Sequence, residues 1–154
     1  MDNQRSELDT LNLAQTPSLS QEQVQAYHQD GFVVVPKFFD LEEIKPLDEA
    51  CQVDPSLKGS QTTVVWGDNT YFRIVFWTKL GDTMLGILPR LARLVEGAER
   101  LLGKECYHYH SKILRKLPNE GNFHWHQDYS GWFEEGCLYP DLISCAIAID
   151  HNTT

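Results

Sequence analysis

The chain has 154 residues, enough for one ordinary domain and too few for two. Its composition is that of a globular protein, with 42% hydrophobic and 23% charged residues, and its formal charge is −9. That acidic balance, with no Lys/Arg cluster, argues against nucleic acid as the main partner, because phosphate binding needs a basic patch. No apolar run approaches the roughly 20 residues of a membrane span, and the first residues lack the basic-then-apolar pattern of a secretion signal. The four cysteines, Cys51, Cys106, Cys137 and Cys145, make no CxxC pair. Their spacing fits neither a zinc ribbon nor a disulfide framework, so they read as free thiols in a reducing compartment, and the expected location is cytoplasmic.

Residues 1–20 are polar and mixed and read as a flexible N-terminal segment. Ser20 with Gln23 makes a capping-box pattern that opens a helix over 21–29, and Gly31 suits its end. The β-branched run 32–35, bounded by Gly31 and Pro36, reads as a strand. Asp40 is a candidate N-cap for a helix over 41–51, which Pro46 is expected to divide into two pieces. A loop over 52–61 follows, then two strands, 62–66 and 71–77, around a Gly67-Asp68-Asn69 turn. Leu91, Leu94, Val95, Ala98, Leu101 and Leu102 recur at helical spacing, predicting a helix over 90–102 with Pro89 in its first turn and Gly103 at its end. Beyond it the pattern predicts strands over 106–117, 123–129 and 142–149. The last is largely apolar and reads as a central strand.

The segment Phe123-His124-Trp125-His126-Gln127-Asp128-Tyr129 carries the chemistry. On a strand, side chains alternate, so His124, His126 and Asp128 would share one face. A His and a carboxylate two residues apart can grip one metal ion as two members of a 2-His-1-carboxylate triad. The third ligand, a distal His, must come from elsewhere. An HxD triplet alone is common as a surface pair or a cap. The flanking aromatics Phe123, Trp125, Tyr129, Trp132 and Phe133 are what a water-poor pocket needs.

The stretch FHWHQDYSGW…DLISCAIAID resembles the central segment of the phytanoyl-CoA dioxygenase family, with Trp125-His126-Gln127-Asp128, then Trp132, then an apolar strand ending at Asp150. YHQDGFVVVPKFFDLEEI resembles the same family's opening, and the resemblance spans residues 21–154. It implies a non-haem iron(II), 2-oxoglutarate-dependent dioxygenase that uses O₂ to hydroxylate an unactivated C–H bond of a small-molecule substrate. The implied fold is mainly β with flanking helices: a double-stranded β-helix, or cupin-like jelly roll, incomplete at the C-terminus. By the same resemblance His126 and Asp128 are the first two iron ligands. Lys112, on the strand before the motif, becomes a candidate to face 2-oxoglutarate or substrate, with a solvated strand lysine as the bland alternative. Trp132 becomes a candidate pocket wall, and His124 a substrate-pocket residue beside the ligands.

The family pattern continues beyond residue 150 with an Asn-Gly turn, a strand and a Ser-His-like segment that supplies the distal His. An Arg for the far carboxylate of 2-oxoglutarate follows. Only His151, Asn152, Thr153 and Thr154 follow Asp150, and His151, at a strand end, is a poor substitute. The chain is therefore expected to be a fragment, marginally stable and with negligible turnover by itself, its last strand presenting a sticky edge. Two rival readings stand beside the enzyme: a non-catalytic truncated homologue, and a cupin-like zinc or binding protein using His108, His110, His124 and His126.

Overall fold

The computed structural model describes residues 19–53, 62–66, 70–115 and 125–151. Its elements in chain order are α1 (Gln21–Asp30), α2 (Leu41–Val53), β1 (Thr62–Trp66), β2 (Thr70–Trp77), α3 (Met84–Ile87), a 3₁₀ turn (Leu88–Arg90), α4 (Ala92–Leu102), β3 (Ser111–Arg115) and α5 (Asp128–Glu134). No helix among the described residues is long and apolar enough to cross a membrane.

Local chemistry sets the helix ends. The Gln23 amide donates to Ser20 Oγ (3.2 Å) and the Ser20 amide to Gln23 Oε1 (2.7 Å), a complete capping box for α1. Gly31, at φ 80°, ends α1 in the left-handed conformation that glycine adopts without strain. Asp40 and Glu43 repeat the box for α2, at 2.9 and 3.0 Å. The division expected at Pro46 does not occur, and α2 runs through it. Leu47 and Cys51, one and five residues beyond the proline, are both buried, so packing of the second half outweighs the one backbone bond the proline removes. α4 ends at Gly103, φ 70°, as the sequence predicts, but its start is displaced: the 3₁₀ turn holds Pro89, and the helix begins after Leu91.

The strands form one antiparallel sheet, order β1-β2-β3. The β1–β2 hairpin joins the two strands that the sequence predicts, Trp66 opposite Thr70, while the turn 67–69 lies outside the described residues. β2 pairs β3 with Val75 opposite Ile113 and Phe76 opposite Lys112. One face turns Val75, Trp77 and Ile113 toward α2 and α3, where Leu47, Cys51, Val75 and Leu85 form the core. The opposite face carries Phe76, Lys112 and Leu114, which are more exposed.

The described residues are a mixed α and β structure rather than the mainly β one expected, because several extended runs find no strand partner. Among the described residues, 32–35 and 142–149 are without ladder pairing; of the strand expected over 106–117, residues 106–110 are unpaired and Ser111–Arg115 form β3, while 116–117 lie outside the described residues. Side-chain pattern makes a segment extended; a sheet also needs a neighbour's backbone groups. Run 142–149 still contributes Ile149 to the core.

Two contacts bind the helices together. Arg100 on α4 donates to the Leu19 carbonyl and to Gln21 Oε1, fastening the start of α1. Arg93, also on α4 and only 9% exposed, pairs with Glu43 at 2.5 and 3.2 Å and donates to the Phe38 carbonyl at 3.2 Å. Its guanidinium lies 4.0 Å from the Phe39 ring centroid. Replacing Arg93 with Met keeps the stem but strands the mostly buried Glu43 carboxylate, so stability measured by urea unfolding should fall by about 2–4 kcal/mol. Adding Glu43→Gln should recover part of that loss, and additive effects would show that the two side chains are not coupled. At Gly86 a Cβ would run into the Gly81 carbonyl. Gly86→Ala should therefore cost about 1–3 kcal/mol in the same assay, and an unchanged midpoint would mean that the 81–86 turn gives way freely.

Candidate metal and substrate site

The strand expected over 123–129 is not what positions the motif. Phe123 and His124 lie outside the described residues, Trp125–Gln127 are irregular, and Asp128 is the first residue of α5. The chain prefers a helix start at this point for electrostatic reasons. A carboxylate in the first helical turn faces the positive end of the helix dipole. Ser130 Oγ also donates to the Gln127 carbonyl at 2.7 Å, closing the first turn. The alternation argument for a shared strand face is therefore replaced by a turn. It brings the His126 ring back over the start of α5, with Nε2 2.9 Å from Asp128 Oδ1. The two side chains are 34% and 46% exposed, so an ion can reach both.

That separation suits a metal. Two ligand atoms on adjacent corners of an octahedral ion, each about 2.1 Å from it, stand about 3.0 Å apart. An imidazole nitrogen beside a carboxylate oxygen is also the donor set that non-haem iron(II) takes. Among the described residues no three His, Cys, Asp or Glu side chains gather so as to hold a metal, so His108 and His110 do not join His126 in a four-imidazole cluster there. His108 instead places Nε2 2.8 Å from Ser111 Oγ.

Helical geometry decides what surrounds the pair. Asp128 and Trp132, four residues apart, share a face of α5, and Glu135, three residues further, caps its end on the same side. Trp132 packs against the segment that leads into β3: its ring centroid is 4.7 Å from His110 and 5.7 Å from Tyr109. Phe76, on β2, lies 5.7 Å from His110 on the other side. Burial pushes the His110 imidazole below the ordinary histidine range, and the charges of Lys112 and His108 push the same way, against Glu135 and Asp128. His110 thus feels both ends of the α5 face. Lys112, on the exposed face of β3 opposite Phe76, is the cation beside this group.

Of the residues singled out from the sequence, His126, Asp128 and Trp132 come together through α5, and Lys112 lies across from them through His110. His124 is outside the described residues. His110, named in the sequence only for the four-imidazole alternative, packs on Trp132 instead, and Glu135 was not singled out. The signal for Glu135 was its helical spacing from Asp128, hidden as long as 123–129 was read as a strand.

The sequence matches the family Phytanoyl-CoA dioxygenase (PhyH) over residues 27–154. It is 31% identical over 143 residues to an ectoine dioxygenase of Bordetella bronchiseptica, an alignment covering 89% of this chain and 46% of that protein. It is 28% identical over 140 residues to an ectoine dioxygenase of Sphingopyxis alaskensis, covering 88% and 46%. A third relative, an L-proline trans-4-hydroxylase of Streptomyces griseoviridis, is 30% identical over 129 residues, covering 82% and 48%. The chain spans about half the length of the curated relatives it matches. No solved structure matches it. With two separated motifs and a continuous match over residues 27–154, the chain belongs to the phytanoyl-CoA dioxygenase family.

Proposed function

We propose that the chain supplies part of the active site of an iron(II), 2-oxoglutarate-dependent dioxygenase, with residues 21–154 as the N-terminal part of its domain. The observation that carries this reading is the facing of His126 Nε2 and Asp128 Oδ1 at 2.9 Å at the start of α5, inside the family match. The proposed reaction is hydroxylation of a C–H bond in a small cyclic amino acid. Relatives named for ectoine and L-proline support that substrate class. The antiparallel β1-β2-β3 sheet, with Val75 of β2 on the core and Phe76 of β2 with Lys112 and Leu114 of β3 exposed on the other face, is consistent with one wall of a jelly roll. Four cysteines with no disulfide support a reducing, cytoplasmic setting.

In this reading His126 and Asp128 would hold the iron, which when bound supplies oxygen activation coupled to decarboxylation of 2-oxoglutarate. The protein's own contributions are positional. The first turn of α5 presents the Asp128 carboxylate, and the bend at 125–127 presents the imidazole, so neither ligand needs to be reorganised on binding. Trp132, His110 and Phe76 wall one side with aromatic surface and reduce the water around a reacting C–H bond. The Lys112 ammonium can pair with a carboxylate of 2-oxoglutarate or of the substrate.

Metal affinity tests the reading directly. Cobalt(II) or manganese(II) titrated into the chain should bind at one site, and His126→Ala or Asp128→Ala should each weaken binding by more than about 100-fold, beyond what loss of an outer partner does. Unchanged affinity in both variants would leave the pair as a hydrogen bond at a helix entry and remove the enzymatic reading of these residues.

A further inference from the structure

We infer that the Glu135 carboxylate recognises the protonated ring nitrogen of the substrate, with the Trp132 indole between it and the His126–Asp128 pair. This rests on the site reading above and extends it to a residue outside the metal motif. Three observations carry it. Glu135 is the cap residue just past α5, and its amide still donates to the Gly131 carbonyl at 3.1 Å, so its side chain starts on the Asp128–Trp132 side, two turns from Asp128. Along the helix that is about 10 Å, and once side-chain reach at both ends is subtracted the gap suits a single ring of five or six atoms.

The charges are the second observation. Asp128 is engaged by His126, whereas no hydrogen bond or ion pair holds the Glu135 carboxylate among the described residues. Its negative charge acts on the His110 imidazole, against that of Lys112. Lys112 is a cation beside the same group, suited to a carboxylate, and Glu135 is the complementary anion. Two opposite charges beside one aromatic group match a zwitterion, the ammonium taking its carboxylate and the Glu135 carboxylate its ring nitrogen.

The third is Trp132 itself. A cation held beside an indole gains from the ring quadrupole as well as from the carboxylate. His110 and Tyr109 hold that indole in place from two directions, at 4.7 and 5.7 Å. A carboxylate at a helix C-terminus is also unfavourable for the helix, since the dipole there is negative, so Glu135 sits where stability alone does not favour it.

The test compares two ligands of the same shape. L-proline carries a protonated ring nitrogen, and tetrahydrofuran-2-carboxylate replaces it with an uncharged oxygen. Calorimetric titration of the full chain in manganese(II) should show proline binding at least about 10-fold more tightly, the worth of one partly desolvated ion pair. Glu135→Gln should abolish that preference, and Glu135→Asp should retain part of it. Both should leave manganese affinity unchanged, whereas His126→Ala removes manganese binding. No preference in the unsubstituted chain, or a preference that survives Glu135→Gln, overturns the inference. Absent manganese binding overturns the site reading instead, and the two failures are thereby distinct.

Discussion

Pairing of β2 with β3 in a single register is the constraint on which the site depends. Val75 opposite Ile113 points both side chains at the core, and this commits Phe76 and Lys112 to the other face. A slip of one residue would exchange the faces, burying the lysine and exposing the isoleucine. The cost of putting an ammonium among Leu47, Cys51 and Leu85 makes that alternative inaccessible. The face that carries Lys112 is thus specified from behind, by the core-facing side chains of the same strands. His110, leading into β3, then meets Phe76 on one side and Trp132 on the other.

The α5 helix converts a linear motif into a two-ended surface. On a strand, His126 and Asp128 would project in parallel and the residues beyond them would continue along the same line. At a helix start the imidazole and carboxylate converge, and the residues beyond return to the same face after one and two turns. A seven-residue helix is marginal by itself. Tyr129, in its first turn, donates its hydroxyl to the Cys137 carbonyl beyond the helix at 3.1 Å, and Trp132 in its middle packs on His110.

The scaffold behind the site is secured by charge as much as by apolar burial. The core cluster is small, and Arg93 supplies a second centre that links α4 to Glu43 at the start of α2 and to the Phe38–Phe39 segment. Exposed apolar side chains include Phe76 and Leu114 on one face of the sheet and Trp125 before α5, and also Leu41, Val53 and Met84 on α2 and α3.

Much of this protein was legible in its residues. Ser20 with Gln23 and Gly31 delimit α1, Asp40 with Glu43 opens α2, and the apolar spacing from Leu91 to Leu102 marks α4. The hairpin of β1 and β2 and the Trp-His-x-Asp motif that identifies the family can also be read directly. These features are local: a cap, a turn or a motif is decided within a few residues by hydrogen bonds and backbone preference. The tertiary structure alone decided the rest. Pro46 sits inside a continuous helix because Leu47 and Cys51 are buried against the sheet. Residues 32–35 and 142–149 have strand composition but no ladder partner among the described residues. Asp128 opens a helix, and only then do Trp132 and Glu135 fall on its face beside His110. Strand pairing and ring stacking join residues twenty or more positions apart, and no pattern within either segment states which partner it will meet.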